Sequence, residues 1–355
     1  MAAIQGALGP GVRRRAHAYI FHGPRGVGKE LTAQQFAQLM LCEQPVESVS
    51  KVRAVRDACD RCDSCRLMKA GNHPDYHLVC REQIRFIDPN RKGVDLSIDL
   101  IREEVIRRAG LMSSSGRGKV FVIREAHLMT REAQNSLLKT LEEPPPGTFL
   151  ILLAPRPNLL LPTTRSRSWP IRFRPLATAF VRERLEAEGT PPAEADFWAR
   201  SSRGSLGGAM QLARWELYPF KCELIERLAC LKASEVVPLA KDSMDQGKAI
   251  GKLMVRDMPM LTESRTNMSG YQVVFGLLAD GLRDAMWVGA GGARDQLIHS
   301  DQEKTVEQLA GRLPARAAAL GVKRVSEAGN LMNRNVNANL VWDNLVSDLC
   351  GLMGG

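Results

Sequence analysis

The chain has 355 residues, which is long for a single hydrophobic core, so two or three domains are expected. Its 44% hydrophobic and 25% charged residues are typical of a soluble globular protein, and the absence of any run of eighteen apolar residues argues against a membrane-spanning helix. The net charge of +10 either suggests an acidic partner, with nucleic acid the leading candidate, or serves only solubility.

The first elements in chain order predict a strand, a loop and a helix. No apolar segment of the kind found in signal peptides follows Arg13, Arg14 and Arg15, so a cytoplasmic location is expected. The apolar run AYIFHG ends in glycine and predicts a strand, and the spacing of apolar residues in ELTAQQFAQLMLC predicts a helix. A polar, cysteine-bearing insert then extends from Cys42 to about Cys80.

The alternation of strands and helices continues after the insert. IRFID predicts a short strand, DLIREEVIRRAGLM an amphipathic helix, and KVFVI a second buried strand. Thr130 can cap the next helix, which ends at Pro144, and TFLILLA predicts a third buried strand. Such alternation predicts an α/β domain with a covered parallel sheet over residues 1–175. Beyond Pro175 the pattern favours helices, in a small domain at 176–214 and an all-helical domain at 215–355.

A phosphate-binding loop is indicated by GPRGVGK, which follows the first strand and precedes a helix. Gly23, Gly26 and Gly28 would let backbone N–H groups turn toward phosphate oxygens, and Lys29 would reach the terminal phosphates. The alternative is a glycine-rich turn with an exposed lysine. Glu30 stands where a serine or threonine would hold magnesium.

A second departure from an active ATPase follows the strand KVFVI. Such an enzyme places aspartate and glutamate there for the metal and the attacking water, whereas this chain has Arg124 and Glu125. An arginine cannot ligate magnesium. Glu125 is therefore either a base without a metal or a solvated residue at the end of the strand. Thr32 could partly replace the missing hydroxyl near the loop.

Four cysteines predict a structural zinc site. Cys59, Cys62 and Cys65 are spaced C-x-x-C-x-x-C, and Cys42 at the end of the preceding helix can complete a tetrahedral set with no open position. Cys80 is the alternative fourth ligand. An iron–sulfur cluster or a redox dithiol fits less well, and disulfides are not expected in a cytoplasmic protein.

These residues resemble the delta-prime subunits of the bacterial DNA polymerase III clamp loader, a family related to the AAA+ ATPases. The resemblance spans nearly the whole chain and is carried by HAYIFHGPRGVGK, the four cysteines, HPDYHLV, IREE, KVFVIREAHLMTREAQNSLLKTLEEPPPGTFLILLA, LLPTTRSRS and NRNVNANLVWDNLVSDL. It implies a nucleotide-binding-like domain with a zinc module at about 42–80, a helical lid, and a helical collar through which five subunits form an open ring.

The resemblance also assigns roles to single residues. The family motif S-R-C corresponds to Ser166, Arg167 and Ser168 here, which implies that Arg167 enters a neighbouring subunit's ATP site as an arginine finger. Pro155 stands where ATP-hydrolysing relatives have a polar sensor residue, and Gly207 where they have an arginine. We therefore expect a subunit without ATPase activity of its own, within a DNA polymerase holoenzyme.

The implied partners are gamma/tau and delta subunits in a hetero-pentamer, together with the sliding clamp and primed DNA that the complex handles, and no membrane. Structural Zn²⁺ is the expected cofactor, while retention of ATP or ADP by the loop stays open. The main alternative is the ATP-hydrolysing gamma/tau motor subunit of the same loader, against which Glu30, Arg124 and Gly207 argue. A zinc-bearing nucleic-acid module outside replication is a third possibility, based only on charge and cysteines.

Overall fold

The chain divides into two units, Met1–Pro175 and Leu176–Gly355. The computed structural model describes residues 16–50, 53–88, 95–257, 263–334 and 336–354. Arg13, Arg14 and Arg15 lie outside these described residues. Among the helices that are described, none combines the length and the apolar character needed to cross a membrane.

A five-stranded parallel sheet is the centre of the first unit. The strands of this unit are β1 (Ala18–His22), β2 (Val46–Ser50), β3 (Arg53–Asp57), β4 (Tyr76–Val79), β5 (Lys119–Ile123), β6 (Thr148–Ala154) and β7 (Trp169–Arg172). The sheet order is β4-β5-β6-β1-β7, with every neighbouring pair parallel, while β2 and β3 form a separate antiparallel pair. The predicted strands β1, β5 and β6 are the three central ones, and their apolar side chains are almost fully buried, as expected for a sheet covered on both faces.

Helices cover this sheet. They are α1 (Lys29–Leu41), α2 (Asp63–Lys69), α3 (Ile84–Ile87), α4 (Ile98–Ile101), α5 (Arg131–Glu142) and α6 (Pro162–Ser166). A π-helical turn at Arg102–Arg107 extends α4. Thr130 caps α5 as predicted, because its hydroxyl accepts a hydrogen bond from the Ala133 N–H at 3.2 Å. The α/β fold class predicted for the first unit is therefore confirmed.

Two sequence predictions in this unit are wrong in detail. IRFID does not form a strand: residues Ile84–Ile87 are the helix α3. Gln83 Oε1 accepts a hydrogen bond from Cys80 N at 2.9 Å, and Gln83 Nε2 donates one to Leu78 O at 3.0 Å. These two bonds turn the chain into a helix directly after β4. The cysteine-bearing insert is also shorter than predicted, since Tyr76–Val79 pairs with β5 in the main sheet.

The described part of the second unit is helical. Its helices are α7 (Thr178–Ala187), α8 (Pro192–Ser201), α9 (Leu206–Arg214), α10 (Tyr218–Ala229), α11 (Val236–Asp257), α12 (Glu263–Gly289), α13 (Glu303–Arg312), α14 (Ala315–Asn333) and α15 (Ala338–Leu352). One hydrophobic core cluster contains side chains from α8, such as Trp198, together with side chains from α15, such as Trp342. The boundary between the 176–214 and 215–355 segments stays a prediction.

Candidate functional site

The phosphate loop, residues 23–29, connects β1 to α1. Gly23 has a φ of +146°, and a Cβ atom there would lie 2.2 Å from the carbonyl oxygen of Phe173, so the position requires glycine. Gly26 and Gly28 also have positive φ angles, of 71° and 89°. The three predicted glycines thus shape a turn into the N-terminus of α1, where free N–H groups and the helix dipole favour an anion.

Lys29 folds back onto its own loop. Its ammonium group donates to Gly23 O at 2.8 Å and also to Pro24 O. Burial, followed by the nearby charge of Arg25, lowers the pKa of Lys29. These two hydrogen bonds leave one N–H of the ammonium group for a phosphate oxygen.

Glu30 and Arg124 form a bidentate ion pair. Glu30 is the second residue of α1, and Arg124 follows β5 directly. Arg124 Nε lies 2.9 Å from Glu30 Oε2, and Nη2 lies 2.5 Å from Oε1. The hydrogen bond with Glu30 raises the pKa of Arg124 further. Glu30 and Arg124, the two departures from an active ATPase, are 94 residues apart in the sequence but are in contact in the structure.

This ion pair joins the two positions that hold magnesium in an active phosphate loop, a hydroxyl after the lysine and a carboxylate after the buried strand. A guanidinium has only donors and offers no lone pair to a metal, and the Glu30 carboxylate is already bound to it. The hydroxyl of Thr32 donates to Gly28 O at 2.8 Å, and its partial replacement of the missing hydroxyl stays a prediction. Glu30 and Arg124 therefore neutralise each other's charge, which disfavours a metal ion between them.

Glu125 is also held by arginines. Arg25 Nη2 lies 2.9 Å from Glu125 Oε1, and Arg81 Nε lies 3.3 Å from Oε2. Its backbone is left-handed, with φ of 49°, at the turn that follows β5. These contacts tie the Glu125 carboxylate to two arginines, and the choice between a base without a metal and a solvated residue at the end of the strand stays a prediction.

The two predicted sensor positions lie in different units. Pro155 follows β6, and its carbonyl oxygen accepts a hydrogen bond from Gly23 N at 3.1 Å, so this position contacts the phosphate loop through its backbone. Gly207 is the second residue of α9 in the second unit and has no side chain to offer a phosphate.

The four predicted cysteines form one cluster. The sulfur atoms of Cys42, Cys59, Cys62 and Cys65 all lie within 4.8 Å of one another, and Cys42 Sγ is 3.9 Å from Cys62 Sγ. Zinc at about 2.3 Å from each of four thiolates would place the sulfurs about 3.8 Å apart. Backbone N–H groups of the last three cysteines donate to sulfur at 3.3 to 3.4 Å. The donor set therefore fits a tetrahedral thiolate-bound metal.

The surroundings shift the pKa values of two of these thiols in opposite directions. Hydrogen bonds from the backbone of Arg61 and Cys62 lower the pKa of Cys59 to about 6, whereas burial raises the pKa of Cys65 to about 12. A metal ion would require all four as thiolates, so its binding would release protons. Cys80 is not part of this described cluster; it lies at the start of the turn after β4, where burial raises its pKa to about 11.

Arg167 lies at the end of the sheet opposite to the phosphate loop. It follows α6 and precedes β7, whose first residue Trp169 is level with Tyr19 in the parallel pairing of β7 with β1. Gly23 lies four residues beyond Tyr19, which is about 13 Å at 3.3 Å per residue. Arg167 is therefore far from its own chain's loop, and a catalytic role would require another chain's phosphates.

Several residues of these sites were not found by sequence reasoning. Arg25 and Arg81 bind Glu125, and Glu142 binds Arg167, with Arg167 Nε 2.6 Å from Glu142 Oε1. The sequence signal that could have pointed to Glu142 was its place in the pair of glutamates before Pro144, but such pairs are common at exposed helix ends. Contacts of this kind depend on the tertiary fold.

Comparison with known proteins gives consistent matches. The family model described as DNA polymerase III, delta subunit, matches residues 12–177. The chain is 27% identical to DNA polymerase III subunit delta' of Bacillus subtilis over 94% of its own length and 90% of the relative. It is 36% identical to the same subunit of Pseudomonas aeruginosa over 46% of this chain and 45% of that one. It is 31% identical to subunit tau of Escherichia coli over 58% of this chain but 30% of that one.

Proposed function

We propose that this chain, which belongs to the delta-prime family of DNA polymerase III subunits, is a clamp-loader subunit that does not hydrolyse ATP itself. Similarity along 94% of the chain supports the assignment to the loader. In this role it would help a cytoplasmic complex place a ring-shaped sliding clamp on primed DNA during replication. Its contribution to the chemistry would be Arg167, acting on the ATP of a neighbouring subunit.

The Glu30–Arg124 ion pair is the observation that carries the non-hydrolytic part of the proposal. Phosphoryl transfer in phosphate-loop enzymes depends on a metal that neutralises charge on the β and γ oxygens. A bidentate contact that uses up both side chains leaves neither a hydroxyl nor a free carboxylate at those two positions. Gly23, Gly26, Gly28 and Lys29 could still hold a nucleotide without turning it over.

The position of Arg167 supports the role in trans. It lies across the sheet from its own phosphate loop, and its side chain is 34% exposed, so another subunit can reach it. A guanidinium directed at charge developing on a γ-phosphate typically contributes several orders of magnitude in rate. Ser168 replaces the cysteine of the family motif, but its hydroxyl donates to Thr164 O at 3.0 Å and does not bind Arg167.

A loader reassembled with Arg167→Ala tests this role. It should contain every subunit in the normal ratio and lose DNA-stimulated ATP turnover at the neighbouring site. Arg165→Ala is the matched control, because Arg165 is an exposed arginine on α6, two residues before Arg167, and its replacement changes the net charge equally. Normal turnover in a fully assembled Arg167→Ala loader would reject the finger assignment.

We further propose that Cys42, Cys59, Cys62 and Cys65 bind structural Zn²⁺. A site with four thiolates has no open position, so the metal would stabilise the segment around α2 and take no part in chemistry. The remaining helical segments would be a lid at 176–214 and a collar at 215–355. Through the collar the chain would join gamma/tau and delta subunits in a hetero-pentamer that holds the clamp and DNA.

The alternative is an ATP-hydrolysing motor subunit of the gamma/tau type. The 31% identity to subunit tau favours it, although the alignment covers 30% of that relative. The two can be separated by measuring phosphate release from the purified chain alone. Turnover at the rate of a motor subunit would support the alternative, and the absence of turnover above background would support the delta-prime role.

A further inference from the structure

Arg167 is held by its own chain through most of its donors. Its Nε and Nη2 atoms lie 2.6 and 2.5 Å from the same Glu142 carboxylate oxygen, Oε1. Its Nη1 atom donates to Thr163 O at 3.1 Å and to Ser166 Oγ at 3.2 Å. The guanidinium has five N–H groups in a fixed plane, so these contacts set both its direction and its rotation.

The two elements behind this contact are joined by a buried hydrogen bond. Glu142 is the last residue of α5, and Arg167 follows α6. The buried Gln134 side chain, also on α5, accepts a hydrogen bond from Leu161 N at 2.8 Å, where α6 begins. Buried polar groups that are satisfied in this way fix the relative position of the elements that carry them. Glu142 therefore holds Arg167 from a helix that does not move freely relative to α6.

We infer that Glu142 is a positioning residue for the trans action of Arg167, which deepens the proposed function and rests on it. An arginine side chain has four rotatable bonds and loses considerable freedom when it reaches a phosphate. The carboxylate lies at the Nε side and restricts that freedom before the neighbouring subunit arrives. The pair is partly exposed, 34% for the Arg167 side chain and 47% for that of Glu142, and the contacts described above leave one N–H of Nη2 for a phosphate.

The size of the expected effect on kcat follows from the solvent exposure of the Arg167–Glu142 pair. Ion pairs in contact with water contribute little, and the corresponding factor in an equilibrium is about two- to fivefold. Glu142→Gln should therefore lower kcat for DNA-stimulated ATP hydrolysis by the assembled loader about two- to fivefold. KM for ATP should not change, because the remaining contacts of the nucleotide belong to the neighbouring subunit. Glu142→Asp keeps the charge and should recover part of the loss.

The decisive experiment compares the variants in the complete loader. Glu143→Gln is the matched control, since Glu143 is the adjacent exposed glutamate and its loss changes the charge equally. In an Arg167→Ala background, Glu142→Gln should cause no further fall, because both residues act through one group. A normal or raised kcat for Glu142→Gln, with Arg167→Ala still defective, would overturn the positioning role alone. A normal kcat for Arg167→Ala would overturn the proposed trans role of Arg167, on which this inference rests.

Discussion

Replacing the Glu30–Arg124 ion pair with a threonine and an aspartate should restore metal-dependent nucleotide binding. The double variant Glu30→Thr/Arg124→Asp supplies the hydroxyl after Lys29 and the carboxylate after β5 that hold magnesium in active phosphate loops. The glycines and Lys29 of the loop are already present. Neither replacement alone provides both ligands, so the two single variants serve as controls.

The two single variants should change the affinity for ATP in opposite directions. Glu30→Thr leaves the Arg124 guanidinium unpaired, and a phosphate charge about 4 Å from it gains about 1 kcal/mol in water and about 4 kcal/mol at an effective dielectric of 20. Because the Arg124 side chain is 39% exposed, the lower figure applies, which corresponds to about fivefold tighter ATP binding without magnesium. Arg124→Asp instead places a second carboxylate beside Glu30, so it should weaken binding of free ATP.

Isothermal titration calorimetry with ATP, in magnesium and in EDTA, checks these expectations. The double variant should bind only with magnesium, and Glu30→Thr equally in both buffers. Loss of one half-buried ion pair with this much solvent contact costs about 1 kcal/mol, so all variants should keep the folded circular dichroism spectrum. Two results would refute the reasoning: wild type that binds magnesium–ATP as tightly as the double variant, or a folded double variant without magnesium-dependent binding.

Two further predictions concern the first unit. Cys62→Ser should reduce bound zinc from about one ion per chain toward none and lower the melting temperature, whereas Cys80→Ser should keep the metal, as measured by a colorimetric zinc assay after dialysis; equal loss in both variants would contradict the ligand set. Burial, then the charges of Arg108 and Lys119, lowers the pKa of His77 to about 4. As the pH falls, the unfolded chain therefore takes up the His77 proton before the folded chain does. The free energy of unfolding is highest above pH 6.5 and falls as the pH drops toward 4. At pH 5 the loss is about 1 kcal/mol after a discount for partial exposure. His77→Phe should show a smaller loss between pH 8 and pH 5 in urea unfolding, and an unchanged loss would contradict the role of His77.

The central strands could be predicted because burial on both faces leaves a continuous apolar run, as in β1, β5 and β6. The edge strands could not. β7 has one buried residue, Ile171, among exposed neighbours that include Trp169 at 62%, and β4 is only half-buried. A similar limit applies to α1, where the helix was predicted from apolar spacing but Leu31, part of that pattern, is 60% exposed.

The candidate sites show the same division between local and tertiary information. Glycine spacing and cysteine spacing are local patterns whose chemistry follows from residue type, and the structure brings each of these two groups together, whereas the role of Arg167 came from the family resemblance and stays a prediction. The Glu30–Arg124 contact depends on β5 lying beside β6 in the sheet and on α1 packing over it, which no single segment encodes. The sequence therefore identified both residues as departures but not as partners.

The Glu30–Arg124 ion pair and the contacts of Arg167 are independent of one another. In an active ATPase, metal and nucleotide help tie the start of α1 to the end of the buried strand, and here the bidentate contact makes that connection directly. Arg167 is positioned from the opposite end of the sheet, through α5 and the buried Gln134, and none of these contacts involves the phosphate loop. The proposed trans role of Arg167 therefore does not depend on the residues that pair beside this chain's own phosphate loop.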